Sequence, residues 1–383
     1  MGACMECMNC KFNGHTVIVM AIEHYNPLSV IRSLGKRGIY PVYIAIQGKG
    51  EIASSSKYIS KRHYAYSVDD GYKILIKEYG NEENKPFILC TDDRTVGYLD
   101  EHYDEVKDRF IFFNARKKNR INEFMDKYKI IELAKKYGLA TLNTVCVERG
   151  CIPDNLEYPI ITKSVSPLSG GWKADVFICK NREELEKAYR SIQSPLVVLQ
   201  KYIDKINEYC LEGFSINHGQ DTHFSISVTY NYLLKDYYSP FLTVGNADKI
   251  EIKKAVAGML KEIEFEGVFE IEFLIDQDGT IYFDEINFRN SPWSYPSAAL
   301  GRPIPEMWMR AMLDGAFAYD QVDVPDHFTA MIEPVDYKKR VEGNMISEAE
   351  WLYDFKKTNV TFYFDPEDSE PYFLMMKNRE FYS

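Results

Sequence analysis

The stretch EIEFLIDQDGTIYFDEINFR, from Glu270 to Arg289, decides how the rest of the chain is read. Two runs that alternate polar and apolar residues flank Asp276 to Gly279, a turn of the kind that closes a β-hairpin. Side chains alternate faces along a strand, so Glu285, Asn287 and Arg289 share one face of the returning strand, and the hairpin brings Glu272 alongside them. Two carboxylates and an amide are oxygen donors suited to a hard cation such as Mg²⁺, which fills its remaining positions with water and phosphate. Arg289 is placed to meet negative charge on a transferring phosphoryl group. A lone E-x-N is more often two solvated residues on a wet strand; the paired strand carboxylate and the following arginine reverse that weighting.

Further alternating runs, YCLEGFSI and HFSISVTY, predict more antiparallel strands upstream, interrupted by a helix over IEIKKAVAGMLKEI. Near the start, TVIVMAI (Thr16 to Ile22) is a continuous apolar run of a buried parallel strand. It leads through Asn26-Pro27 and a helix stopped at Gly38 into a second run ending at Ile46. Apolar runs at Phe87 to Cys90 and Phe110 to Phe113 flank a helical segment over Val96 to Val106, so residues 15–118 read as one doubly wound α/β domain. No G-x-G-x-x-G follows its first strand, which counts against a dinucleotide there. Residues 119–203 and 204–320 follow as regions with further strands, many of them of antiparallel pattern, and 321–383 as a C-terminal extension without a clear period.

A chain of 383 residues has room for two or three domains, and its net charge of −11 argues against gripping a nucleic-acid backbone. No apolar run reaches the length of a membrane span and the start lacks a signal-peptide build, so the expectation is a cytoplasmic protein without integral membrane association. The C-x-x-C-x-x-C of Cys4, Cys7 and Cys10 has the spacing of a cluster or zinc site, but its fourth position falls on Gly14.

On Glu272, Glu285, Asn287 and Arg289 the chain resembles the ATP-grasp superfamily, whose metal-binding strand pair ends in E-x-N, often extended to E-x-N-x-R. The resemblance covers most of residues 15–315. It implies a pre-ATP-grasp domain followed by a two-lobed ATP-grasp domain, with ATP and Mg²⁺ (two ions, Mn²⁺ as an alternative) as cofactors. It assigns phosphate contacts to Lys129, in DKYKIIELAKKYG, and to Lys163, at the end of YPIITK. The loop Ser169, Gly170, Gly171 with Lys173 resembles the family's lid over the phosphates. The run VVLQKYIDKINEYC resembles its hinge, which would set Gln200, Lys201, Tyr202 and Ile203 against adenine and Glu208 against the ribose. Gln200 departs from the family's usual acidic residue, and a core role for Ile203 stays open.

Within the superfamily, NPLSVIRSLGKRGI and FRNSPWSYPSAALG look most like the carboxylate–amine ligases of the D-aspartate ligase group. That likeness implies Asn26, Arg32, Ser291, Trp293 and Tyr295 at the substrate, with a surface role for Arg32 and a core role for Trp293 as alternatives. It also implies amide formation through an acylphosphate, with Lys163 and Arg289 catalytic and the partners a carboxylate and an amine drawn from amino acids, peptides or peptidoglycan precursors. A carboxylase or phosphotransferase on the same nucleotide site, and a regulatory nucleotide binder without turnover, are the rival readings. A homodimer is the default oligomer.

Overall fold

The computed structural model describes residues 11–48, 51–168, 172–234, 238–320 and 323–377. Cys4, Cys7, Cys10, Ser169, Gly170 and Gly171 lie outside the described residues, as does the side chain of Lys173.

Among the described residues the strands form three sheets. In the first, β1 (Lys11–Phe12) runs antiparallel to β2 (His15–Ile22), and β2 pairs in parallel with β3 (Val42–Ile46), which pairs with β4 (Lys61–Ala65). On its other side β2 takes β5 (Phe87–Leu89) in parallel. Strands buried on both faces need continuous apolar sequence, and Val17 to Ala21 are entirely buried. The expected helix after Asn26-Pro27 spans Tyr25–Gly35, and Gly38 takes a positive φ of 81° just beyond it.

Two expectations for this region fail locally. Phe110 to Phe113 is no strand; Ile111 makes only an isolated bridge to Phe87. The helix over Val96 to Val106 divides into Asp93–Glu101 and Tyr103–Val106 at His102. The helix Val68–Tyr79, capped by the Ser67 side chain, and the strand β4, whose polar sequence buries only Ala65, were not among the expected elements.

A four-stranded antiparallel sheet has the order β6 (Thr144–Glu148), β9 (Leu196–Lys201), β7 (Ile160–Ser164), β8 (Ile178–Cys179). It has its own apolar cluster, built on Leu185, Val197 and Leu199. The third sheet has seven strands. Its first five in spatial order are β14 (Ile281–Asn287), β13 (Gly267–Ile275), β10 (Asn207–Ile216), β11 (Asp221–Tyr230) and β12 (Phe241–Gly245). It continues through β15 (Thr329–Met331) and β16 (Val360–Thr361), so the segment read only as an extension supplies two strands to this sheet. The helix over Ile250–Ile263 appears where its period placed it, with Val256, Met259, Leu260 and Ile263 buried.

No helix among the described residues is long and apolar enough to cross a membrane.

Candidate active site

The β13–β14 hairpin turns on Asp276, whose side chain accepts from the amides of Asp278 (3.0 Å) and Thr280 (2.9 Å), while Gly279 supplies a φ of 79°. This sets the register in which Glu272 faces Glu285 and Glu270 faces Asn287. Strand β10 extends the ladder, with Cys210 opposite Glu272 and Glu212 opposite Glu270. One face of the sheet therefore carries successive rungs: Glu208 with Leu274, then Cys210, Glu272 and Glu285, then Glu212, Glu270 and Asn287.

The pairing shifts by one residue between Glu272 and Phe273, where Asp284 is the extra residue of a β-bulge. A bulge re-aims a side chain, and here it lets both Asp284 and Glu285 reach lysines. Lys163, at the end of β7, bonds Asp284 at 2.7 Å, and Lys127 pairs with Glu285. Asn287 donates to Glu272 (2.8 Å) and Glu270 (3.2 Å) and accepts from Arg289 (2.9 Å). Arg289 also reaches Asp93 of the first domain at 3.0 Å and lies 3.7 Å from Glu270.

This crowd of carboxylates shifts its own protonation. Burial, with Glu270 and Glu208 nearby, pushes the Glu272 carboxyl up to about 8. Burial raises Glu270 to about 7 despite the pull of Arg289, and Glu212 goes well above the carboxylate range by burial and the charge of Glu270. Asp284 goes the other way, because Lys163 and Lys127 outweigh its burial. The Lys127 ammonium is lowered by burial and by Lys163 beside it.

The expected metal set is thus brought together in part. Glu272 and Asn287 touch and Glu285 stands opposite Glu272 in register, with its carboxylate turned to Lys127. Among the described residues no group of three or more His, Cys, Asp or Glu side chains makes a metal cluster by itself. The set of two carboxylates and an amide nevertheless fits a hard cation in chemistry, and the raised Glu272 carboxyl marks a place where positive charge is wanted.

Lys129 is not at this site. It is half exposed and pairs with Glu123, because two residues along a helix is roughly 200° around it. Lys127 is the lysine that points in, and its signal was legible: it stands three and four residues before the buried Ile130 and Ile131, on the inward stripe. Glu212, Glu270, Asp284 and Asp93 were also missed, although the same period of two that located Glu285 and Asn287 puts Glu270 beside Glu272.

Along the expected hinge, the amides of Lys201 and Tyr202 are committed to the carbonyls of Asn143 and Pro159, and the Gln200 amide reaches Thr144. Ile203 follows on the same segment, and Glu208 is buried and paired with Lys205.

The expected substrate residues separate. Asn26 is buried at the seam between the first and third sheets, donating to the carbonyls of Thr91 (3.0 Å) and Asn290 (2.9 Å). Ser291 bonds Glu212 at 3.3 Å. Trp293 packs edge-on against Tyr238 and Phe362. Tyr295 instead lines a separate cavity of about 250 Å³ with Lys36, Thr361 and Asp365. Arg32 is not on the surface: it is wholly buried, bonded to Asp368 and to the carbonyls of Phe362 and Tyr363.

No family model matches the sequence. The chain is 26% identical over 245 residues to an N5-carboxyaminoimidazole ribonucleotide synthase of Staphylococcus epidermidis, across 56% of this chain and 63% of that one. It therefore spans less than two thirds of that relative's length. Among solved structures it is similar to the biotin carboxylase domain of 2-oxoglutarate carboxylase from Hydrogenobacter thermophilus, crystallised with MgADP and bicarbonate. That likeness has a TM-score of 0.61 and 20% identity, over 82% of this chain and 73% of that one. It is also similar to an L-amino acid ligase from Bacillus licheniformis, with a TM-score of 0.58 and 13% identity over 78% and 74% of the two chains. These likenesses establish the fold, which is the ATP-grasp fold.

Proposed function

We propose that this ATP-grasp chain is a Mg-ATP-dependent ligase that joins a carboxylate to an amine through an acylphosphate, releasing ADP and phosphate. The observation that carries the reading is the convergence of Glu272, Glu285, Asn287, Lys127, Lys163 and Arg289 on one face of the third sheet. An L-amino acid ligase and an N5-carboxyaminoimidazole ribonucleotide synthase stand among the similar proteins.

In this reading Glu272, Glu285 and Asn287 hold the metal, and bound Mg²⁺ neutralises the phosphate oxygens. Lys127 and Lys163 exchange their carboxylate partners for phosphate, in place of the Lys129 expected from sequence. The strand end from Gln200 to Ile203 borders adenine, Glu208 accepts from the ribose, and Ser169, Gly170, Gly171 and Lys173 cover the phosphates. A substrate carboxylate oxygen attacks the γ-phosphorus and ADP leaves; the amine nitrogen then attacks the acyl carbon and inorganic phosphate leaves. The protein's share is positioning and charge: Arg289, fixed by Asp93 and Asn287, meets the transferring group without a search for its rotamer. Asn26, Ser291 and Trp293 lie where the acceptor enters. Arg32 and Tyr295 drop out of the substrate set, which weakens the D-aspartate ligase likeness that rested partly on them.

The likeness to the biotin carboxylase domain favours a second reading, carboxylation with bicarbonate as the acid. A screen of ADP release with amino acids and small carboxylates in pairs tests both. Release that requires an acid and an amine together supports the ligase, strict bicarbonate dependence supports the carboxylase, and Mg-ADP binding with no release under any pair leaves only a regulatory binder.

A further inference from the structure

We propose that Glu212 and Glu270 form an acceptor subsite that receives the amine substrate as its ammonium, with Glu212 taking one of its protons so that the nitrogen lone pair is free to attack. The inference rests on the ligase reading above and names the class of its second substrate.

The placement comes from the ladder. Successive rungs on one face are about 7 Å apart, two residues of strand. Glu208 marks the ribose end, and Glu272 with Glu285 the phosphate end. The rung of Glu212, Glu270 and Asn287 is the next one along, with the metal residue Asn287 at its β14 end and Glu212 two strands away on β10. What must stand beyond the γ-phosphate is the acid and the amine that attacks it.

The chemistry comes from what these carboxylates lack. Glu212 and Glu270 are 0% and 2% exposed. Glu212 Oε1 meets Ser291 and Glu270 Oε2 meets Asn287, but Glu212 Oε2 and Glu270 Oε1 have no hydrogen-bond partner. Arg289, at 3.7 Å from Glu270, already serves Asp93 and Asn287. Two adjacent carboxylates buried with one shared arginine lack a matching positive charge.

A second observation is independent of the acids. Asn26 and Asn290, at the same seam, each commit their amide nitrogen to backbone carbonyls and leave a buried Oδ1 without a partner. Asn290 directly precedes Ser291, and its carbonyl is held by Asn26. With both carboxyls ionised, the four unpartnered atoms of Glu212, Glu270, Asn26 and Asn290 are acceptors. A group that only donates answers the carboxylate pair, and an ammonium carries three donors and no acceptor. An anion would be repelled. The acceptor is therefore a basic amine, such as a free amino-acid amino group, and not a neutral amide or aromatic amine.

The test uses the full chain as wild type, Glu212→Gln and Glu212→Asp, with ATP, Mg²⁺ and a panel of amino acids as acids. Hydroxylamine, mostly uncharged at neutral pH, traps an acylphosphate as a hydroxamate without needing an ammonium subsite. The readout is the kcat/KM for amino-acid acceptors divided by that for hydroxylamine. Loss of a charge-assisted contact is expected to lower this ratio on the order of tenfold or more in Glu212→Gln, with partial recovery in Glu212→Asp. An unchanged ratio overturns the subsite and leaves the ligase reading intact. A loss of Mg-ADP affinity with the ratio unchanged also overturns it, by moving Glu212 to the metal. No hydroxamate and no ADP release from wild type overturns the ligase reading and the subsite with it. Should Glu212→Gln fail to fold, Glu212→Asp, which keeps the charge but withdraws it from the ammonium, is read by the same ratio, and an unchanged value overturns the subsite.

Discussion

Replacing Arg32 by methionine should detach the C-terminal segment and spare the chemistry. The guanidinium donates to Asp368 Oδ2 (2.9 Å), to the carbonyls of Phe362 (2.9 Å) and Tyr363 (3.1 Å), and to the Asp368 carbonyl (2.6 Å), all without solvent exposure. Methionine keeps an unbranched apolar stem and returns none of these donors. Removing one partner of a buried ion pair costs about 3–5 kcal/mol, mostly because the other charge stays buried. Asp368 keeps the Ser56 hydroxyl (2.7 Å) and the Lys57 amide (2.9 Å), which sets the expectation toward the lower end, about 3 kcal/mol. Urea unfolding should show this loss, and limited proteolysis should cut faster between residues 359 and 377. The folded fraction should keep its KM for both substrates. A loss under about 1 kcal/mol together with a raised substrate KM would refute the reasoning and return Arg32 to the substrate site.

Lys127→Met should weaken Mg-ADP binding on the order of tenfold, while Lys129→Met, which touches only the exposed Glu123, should stay within about twofold by calorimetry; the opposite order would reinstate Lys129. Glu285→Gln should abolish ADP release while circular dichroism stays that of the wild type, and wild-type rates would remove Glu285 from the metal set. His223 is buried among Phe214, Phe317 and Tyr319, and burial lowers it from 6.5 to about 4. The unfolded chain then binds the extra proton between those values, so stability rises with pH across that window and falls as pH drops through it. The cost at pH 5 is about 2 kcal/mol, and His223→Phe should remove this limb from a plot of urea midpoint against pH.

Much of the candidate site was legible before any fold was known, because it depends on short-range periodicity. Period two along β14 put Glu285, Asn287 and Arg289 on one face, and one tight turn sufficed to bring Glu272 opposite. Helical period could have chosen Lys127 over Lys129, and strand period could have added Glu270; in both cases the signal was present and unread. The broken helix at His102 and the polar strand β4 show where local signals were weak, since an edge strand with one covered face needs little apolar sequence.

Other features lay outside the reach of local pattern. The bulge that turns Asp284 toward Lys163 depends on a one-residue mismatch between paired strands, which neither strand shows alone. Arg32 reads as a helix-surface charge until Asp368, 336 positions later, is found against it. The C-terminal strands have no period because two or three residues carry none, and their partners in the sheet identify them. The meeting of Glu272, Glu285, Asn287 and Arg289 was decided by the sequence alone, because the four residues lie within one hairpin. Which charges face them was decided only by the tertiary structure, because Lys127, Lys163, Asp93 and Glu212 come from elements that the chain brings together over long distances.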